Sequence, residues 1–428
     1  MLRFDAGRLE DWLAHLESLH PSAIDMGLGR VAQVRDALGL KPAFPILTVG
    51  GTNGKGSVCA MLSSILRAAG YRVGTYTSPH LLHYNERVMI DLAPASDAAL
   101  VESFRAVEAA RGEISLTYFE FGTLAALQQF VAAEVDVAVL EVGLGGRLDA
   151  VNAFEPDVAA VVSVGLDHQS YLGDTREAIG FEKAGIFRAG KPAFCADPQP
   201  PQSLLDHASA IGADLRLIGR DFGFQKQNED RQWMAWSKGS VHRHALPFPA
   251  LRGDYQLGNA ALALAMLDGV QDRLPVALGD IKRGLIEVEW PARFQVLPGR
   301  PAVVLDVGHN PHAARVLRAG LDQMGFFPTT HAVFGMMADK DIAGVVACLA
   351  DRIDIWHVAA PALPRAATAE SVGEIIDQCA AGTQVKCYPT VAQAWQGACK
   401  SASENDRILA FGSFYTVAEV MAARESRT

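Results

Sequence analysis

The chain has 428 residues and a formal net charge of −10, with 50% hydrophobic and 20% charged residues. That length exceeds one compact core and predicts two domains, with the balance of a globular enzyme rather than a disordered chain. The acidic charge argues against a nucleic-acid partner, which would want a basic face, and no apolar run approaches the ~20 residues of a membrane span.

The N-terminal "MLRFDAGRLEDWL" puts acidic residues where a secretion signal wants a basic start and an apolar core. The six cysteines, at 59, 195, 348, 379, 387 and 399, contain no C-x-x-C pair. Buried, reduced thiols and a cytoplasmic location are expected from that pattern.

The first chemical signal is "LTVGGTNGKGSV", residues 47–58. A phosphate-binding loop reads G-x-x-x-x-G-K-[ST], with the hydroxyl directly after the lysine. The run Gly50-Gly51-Thr52-Asn53-Gly54-Lys55 is read against that pattern, but then Gly56 intrudes and Ser57 comes one place late. The apolar run "FPILTV" before the loop predicts a buried parallel strand. After it, Val58, Met61, Leu62, Ile65 and Leu66 share one helical face, and Gly70 ends the helix. A strand-to-helix turn of bare backbone N–H groups attracts phosphate, and Lys55 adds a point charge for the terminal phosphates. An ATP loop is the expectation.

The strand–helix rhythm continues. "YRVGTYTSPHL" predicts a strand ending at Thr77-Ser78, and "VDVAVLEVGLGGRLDAVN" one ending at Glu141. "PDVAAVVSVGLDH" predicts another that stops just before Asp167-His168. Ligands of open α/β sheets collect beyond the C-terminal strand ends, so Lys55, Ser57, Ser78, Glu141 and His168 are expected on one edge. Singly, Ser78 reads as a turn residue, Glu141 as a solvated carboxylate and His168 as a structural imidazole. Together Ser78, Glu141 and His168 make a candidate Mg²⁺ set beside a triphosphate, with the imidazole its least usual member. Ser78 then supplies the oxygen that Gly56 cannot.

Residues about 215–250 predict antiparallel strands with polar turns, an appendage to a first domain spanning 1–290. From 300 to 428, "AVVLDV", "THAVFGM", "DIWHVAAP" and "RILAFGSF" predict strands alternating with helices. The expected fold is two-domain α/β: a P-loop ATPase domain built on a parallel sheet, followed by a smaller Rossmann-like α/β domain. Two such lobes facing one cleft suit a reaction that must exclude water.

The blocks "GGTNGKGS", "YTSPHL", "YFEFGTLAAL", "LEVGLGGRLDAVN", "GLDHQSYLGDTREAIGFEKAGIF", "PARFQVL", "LDVGHNPHA" and "FGMMADKDI" run in order along most of the chain. In them the sequence resembles the folylpolyglutamate synthase family, and within it the bifunctional bacterial members that also make dihydrofolate. The wider superfamily includes the muramyl ligases, and the late Ser57 is this family's own loop variant. The resemblance implies ATP on Gly51–Ser57, and Mg²⁺ on Ser78, Glu141 and His168 with a second Mg²⁺ possible. It implies that Lys183 is an N-carboxylated, anionic side chain; an ordinary surface lysine paired with Glu182 or Glu177 is the alternative. It implies nucleotide contacts at Asn259, Arg293 and Asp306, with alanine at 292 where much of the family has glycine.

The resemblance further places dihydropteroate on Ile24, Asp25 and Met26, on Thr117, Tyr118, Phe119 and Glu120, and on Leu148, Asp149 and Ala150. Tyr118 and Phe119 offer stacking surfaces; of Phe119 and Phe121, read as strand neighbours, one is expected in the core. His309 is a candidate to position L-glutamate, and His312 a weaker one. The implied activity is ATP-dependent ligation of L-glutamate to dihydropteroate and to tetrahydrofolate through an acyl phosphate, in a monomer. Polyglutamylation alone, a muramyl-type substrate and a non-catalytic ATP binder are the alternatives.

Overall fold

The computed structural model describes residues 4–227, 232–238, 242–380 and 382–425. The chain divides into two compact units, one of residues 1–250 and 257–288, the other of 251–256 and 289–428.

The first unit is built on an eight-stranded sheet. Its strands are β1 (Ile46–Gly50), β2 (Val73–Tyr76), β3 (Val88–Ile90), β4 (Ala93–Pro94), β5 (Val137–Glu141), β6 (Val158–Val161), β7 (Pro192–Cys195) and β8 (Asp214–Leu217). They lie in the order β4-β3-β2-β5-β1-β6-β7-β8. From β2 to β8 the pairing is parallel; only β3 and β4 are antiparallel. Every residue of β1, β2, β5 and β6 is buried. That is why these strands read as unbroken apolar runs, since helices cover both faces of a parallel sheet.

The helix Lys55–Ala68 follows β1 and is buried continuously from Gly56 to Leu66, not along one stripe alone. The helix Gly29–Ala37 and the helix Tyr118–Ala132 share one hydrophobic core with the other face of the sheet. The segment holding Phe119 and Phe121 is the start of that second helix, not a strand. Thr117 and Glu120 form a capping box there: Thr117 Oγ1 accepts from the Glu120 N–H at 3.2 Å, and Glu120 Oε2 from the Thr117 N–H at 2.8 Å. The pattern Thr-x-x-Glu before an apolar run is the signature of a helix start.

The strands β9 (Phe222–Gln227), β10 (Gln232–Ser237) and β11 (Arg243–Pro247) form a separate antiparallel sheet. The expected appendage of 215–250 therefore needs trimming at its start, because β8 pairs parallel with β7 in the main sheet. Part of that segment, 228–231 and 239–241, lies outside the described residues.

The second unit carries β12 (Gln295–Leu297), β13 (Ala302–Asp306), β14 (Thr330–Phe334), β15 (Ile355–Val358), β16 (Gln384–Cys387) and β17 (Arg407–Phe411). Their order is β12-β13-β17-β14-β15-β16, parallel except for the edge strand β12. One core of Val304, Leu317, Phe334, Trp356, Leu409 and Phe411 joins sheet and helices. The cysteines are free thiols; Cys59 and Cys195 are buried, whereas Cys387 is exposed, against expectation. Among the described residues no helix is long and apolar enough to cross a membrane.

Candidate active site

In the sheet order, β2, β5, β1 and β6 are contiguous and parallel. Their C-terminal ends therefore bring Ser78, Glu141, the glycine-rich loop and the 162–168 segment to one edge. Strand β6 ends at Val161, so Asp167 and His168 follow it after a loop rather than directly.

That loop is bonded to the phosphate-binding loop. The Thr52 N–H donates to Ser163 O at 2.8 Å, Ser163 Oγ accepts from the Asn53 N–H at 3.0 Å, and Thr52 Oγ1 accepts from the Gly165 N–H at 2.9 Å. Gly54, with φ 89°, begins the following helix in the left-handed region. A Cβ there would stand 2.8 Å from Val162 Cγ1 and 3.0 Å from Asn259 Oδ1, so only glycine lets the loop close against both. Asn259 thus stands beside the loop. Lys55 Nζ curls back onto Gly51 O at 3.1 Å and Thr52 O at 3.4 Å. Gly56 and Ser57 lie in the first helical turn, Ser57 being buried.

Ser78 and Glu141 meet: the Ser78 N–H donates to Glu141 Oε2 at 3.2 Å. Glu141 is 5% exposed. His168 sits in left-handed backbone at φ 51° with an exposed ring, 4.0 Å from Asp167 Oδ1. Among the described residues no group of three or more His, Cys, Asp or Glu side chains is placed to hold a metal ion. A buried carboxylate and a serine at adjoining strand tips fit magnesium, which takes one or two protein oxygens and fills its shell from phosphates and water.

Lys183 is not a surface lysine. It is 4% exposed. Glu182 instead accepts from Arg147 Nη2 at 2.7 Å, and Glu177 from the Ser203 N–H at 2.8 Å. Burial pushes the Lys183 amine down to about 7, the charge of Lys55 acts in the same direction, and Asp167 and Asp149 oppose it. Lys55, Lys183, Asp149 and Asp167 are therefore one electrostatic group. A lysine held near neutrality is a nucleophilic amine, the form that adds carbon dioxide.

The three segments expected to hold a pterin also converge in this unit. Arg30 ties two of them: Nη1 donates to Asp25 Oδ2 at 2.7 Å, and Nη2 to Asp25 O and to Glu120 Oε1, each at 3.0 Å. Ile24 is exposed, while Met26 reaches the third segment's approach at Gly145. Phe119 packs on Gly143, where a Cβ would meet its ring at 2.7 Å, and lies 5.8 Å from Tyr76. Phe121 is the core residue of the pair, fully buried. Asp149 accepts from the Leu144 N–H at 2.8 Å and the Val151 N–H at 3.0 Å. Burial raises its carboxyl to about 6 against those backbone bonds. Leu148 is half-buried and Ala150 buried. Thr117, Glu120 and Asp149 thus all hold backbone N–H groups. Arg30 carried no sequence signal, because its partner Glu120 is 90 residues away.

In the second unit Asp306 ends β13 and accepts from the Gly308 N–H at 2.7 Å and the Phe294 N–H at 2.8 Å. Burial raises its carboxyl. Ala292, at φ 57°, holds the left-handed backbone that glycine would take without strain. Arg293 stacks on Phe414, its guanidinium 5.0 Å from the ring centroid, and His309 lies 6.3 Å from the same ring with Nδ1 3.0 Å from Val307 O. Asn310, not a histidine, caps the helix Pro311–Asp322, accepting from the Ala313 N–H at 2.9 Å.

A glycine-rich loop between a central parallel strand and a helix that opens on a lysine, with a carboxylate at the neighbouring strand end, defines a P-loop nucleotide-binding enzyme. Residues 49–267 match the Mur ligase middle domain, and residues 292–414 the Mur ligase glutamate ligase domain. The chain is 44% identical over 425 residues to the dihydrofolate synthase/folylpolyglutamate synthase of Escherichia coli strain K12, covering 99% of this chain and 97% of that one. It is similar to a solved structure of E. coli FolC in complex with DHPP and ADP, with TM-score 0.93, 44% identity and 99% of each chain covered. It is also similar to a bifunctional folylpolyglutamate synthase/dihydrofolate synthase with Mn, AMPPNP and L-glutamate bound, with TM-score 0.91, 46% identity, and 99% and 100% of the two chains covered. The chain belongs to the bacterial bifunctional dihydrofolate synthase/folylpolyglutamate synthase family.

Proposed function

We infer that this protein is an ATP-dependent ligase joining L-glutamate to 7,8-dihydropteroate and to tetrahydrofolate glutamates. ATP's γ-phosphoryl passes to the substrate carboxylate, the glutamate amine displaces phosphate from the resulting acyl phosphate, and ADP and phosphate leave. The observation that carries this reading is the shared sheet edge of phosphate loop, Ser78–Glu141 pair and buried Lys183.

Each group has a task there. The backbone N–H groups from Gly51 to Ser57 and the helix start cradle the phosphates, and Lys55, swung off its loop carbonyls, neutralises charge as it transfers. Ser78, Glu141 and His168 would hold Mg²⁺, and Lys183, if N-carboxylated, would add oxygens for a second such ion. When bound, the metal neutralises developing charge on the phosphoryl oxygens. Asn259, Arg293 and Asp306 contact the nucleotide, and His309 positions glutamate. Ile24, Asp25, Met26, Thr117, Tyr118, Phe119, Glu120, Leu148, Asp149 and Ala150 line the pterin site, where aromatic rings and carbonyl-rich loops suit a flat, donor-rich ring. In the same reading, 1–290 is the ATP-binding P-loop domain with the pterin site and 300–428 the C-terminal Rossmann-like ligase domain. A cytoplasmic monomer fits free thiols and small-molecule substrates.

The test is product formation from L-glutamate and ATP with either 7,8-dihydropteroate or tetrahydrofolate, with Lys55→Ala as control. Turnover on both, lost in the variant, is the expected result. Turnover on tetrahydrofolate alone would remove dihydrofolate synthesis, and turnover on neither would point to a muramyl-type substrate.

A further inference from the structure

Arg87 is the residue that the site description leaves unused. It is the last residue of the short turn Tyr84–Arg87 and precedes β3, and its carbonyl accepts from the Thr77 N–H at 2.9 Å, one residue before Ser78. Its guanidinium lies 5.5 Å from the Tyr84 ring centroid and 5.4 Å from that of Tyr118. Nε donates to His80 Nδ1 at 2.8 Å. Among the described residues no carboxylate lies within ion-pair distance of it. The adjacent Glu86 is occupied otherwise, accepting from the N–H groups of Leu81, Leu82 and His83 at 2.7 to 2.8 Å. Arg87 is half-buried, so a ligand can reach it.

Most arginines ordered in this chain face acids: Arg30, Arg105, Arg111, Arg147, Arg176, Arg188, Arg243 and Arg318 each pair with Asp or Glu. Arg87 is instead held in a fixed plane by two aromatic rings and a neutral acceptor, which leaves its terminal N–H fork pointing away from Nε for a partner of its own. A planar fork fixed in this way matches a carboxylate in bidentate geometry. Its position decides which carboxylate. On one side is Tyr118, in a segment assigned to the pterin; on the other is the His80–Ser78 stretch, assigned to the metal.

We propose that Arg87 binds a carboxylate of the pterin-bearing substrate, holding it between the aromatic pterin site and the phosphate edge. This rests on the ligase reading above. Dihydropteroate carries a single carboxylate, the reacting one; tetrahydrofolate carries that of its terminal glutamate's side chain and a flanking α-carboxylate.

The experiment measures Kd, in the presence of ADP, for dihydropteroate, for its neutral carboxamide, and for tetrahydrofolate. Wild type should prefer dihydropteroate to the carboxamide by about tenfold or more, the value of a charged hydrogen bond. Arg87→Gln should erase that preference while binding the carboxamide as wild type does; Arg87→Lys should restore part of it. A loss confined to tetrahydrofolate would also support the proposal and assign Arg87 to the α-carboxylate. A purely structural arginine would weaken acid and amide alike, and that result, or an Arg87→Gln variant that keeps the preference for dihydropteroate over its carboxamide and loses no affinity for tetrahydrofolate, overturns it. A wild type indifferent to the carboxylate overturns it too. ADP affinity and melting temperature report whether each variant is folded, and wild-type turnover separates failure of this inference from failure of the ligase reading.

Discussion

The Ser78 N–H donates to Glu141 Oε2 at 3.2 Å, tying the tip of β2 to the tip of the neighbouring β5. The bond fixes a buried carboxylate at the sheet edge that carries the glycine-rich loop, and it leaves the serine hydroxyl free to turn. Glu141→Gln keeps the shape and the acceptor but removes the charge. The expected outcome is an increase of about 100-fold or more in the Mg²⁺ concentration for half-maximal activity, beyond the 10–100-fold typical of a supporting contact. Ser78→Ala, which keeps the backbone bond, should fall within that smaller range. A Mg²⁺ titration of both variants checks this, and unchanged metal dependence in Glu141→Gln would remove it from the metal set.

Lys183 offers a test that separates amine from carbamate. Its folded value of about 7 lies well below the ordinary 10.5, so the neutral amine predominates above pH 7 rather than above 10. Lys183→Ala should lower kcat by about 10²–10³, the effect of losing one fixed group at a charged transition state. A short carboxylic acid in the buffer should restore part of it. Wild type prepared free of carbon dioxide should be slow and recover on adding bicarbonate, with recovery levelling off just above pH 7. Full activity without bicarbonate would show that the free amine suffices.

Arg30 joins the Asp25 segment to the start of the helix Tyr118–Ala132 through four hydrogen bonds, two of them to Glu120. Arg30→Gln frees the Asp25 segment but leaves the Thr117–Glu120 capping box in place. The KM for dihydropteroate should rise about tenfold, near the value of one charge-assisted bond, with kcat changed much less. Steady-state kinetics at saturating ATP and glutamate decide it; a fall in kcat at constant KM would place Arg30 in the chemistry instead.

Ala292 is buried at φ 57°, beside the arginine that stacks on Phe414. Left-handed backbone costs a residue with a Cβ about 1–2 kcal/mol, while glycine loses about 0.4–1 kcal/mol more unfolded-state entropy. Ala292→Gly should therefore be neutral or stabilising by up to about 1.6 kcal/mol, from those two opposing terms. Ala292→Val, β-branched and buried, should destabilise clearly. Denaturant melts of the two variants measure the difference.

What the sequence disclosed follows from how local each feature is. The P-loop and the buried strands are contiguous stretches whose composition answers to one environment, so the α/β class and the ATP loop were legible. Two aromatics in alternation make the Phe119 segment look β-like, although Thr117 and Glu120 three residues apart spell a helix cap. Strand β16, "QVKC", is too short and too polar to announce itself at a sheet edge. The Arg30–Glu120 and Arg87–Tyr118 contacts join residues far apart in the chain, and no periodicity encodes a distance across a fold. Lys183 could not be told from a surface lysine by its own helix; its burial is a property of what packs around it.

Two buried histidines give the second unit a pH-dependent stability. His331 and His357 are 1% and 0% exposed, and His331 Nδ1 lies 3.2 Å from His357 Nε2, whose Nδ1 lies 3.0 Å from the Tyr388 hydroxyl. Burial lowers both; for His357, the positive charge of His331 and Lys386 adds to the effect and brings it to about 4. Asp406 Oδ2, 3.7 Å from His331 Nε2, and Asp354 oppose the shift without reversing it. The unfolded chain takes up protons near pH 6.5, whereas folded His357 resists until about 4 and His331 is lowered in the same direction. Stability from these histidines is therefore complete above 6.5 and is lost as pH falls toward 4, by at most about 1.4 kcal/mol per pH unit for each group. His357→Gln keeps a polar partner for Tyr388 but cannot be charged. Its melting temperature should fall less steeply than that of wild type between pH 6.5 and 4, and the two should run parallel above 6.5. Equal slopes in the acid range would mean that the pair is already protonated in the folded protein, or that the carboxylates alone set its acid limit.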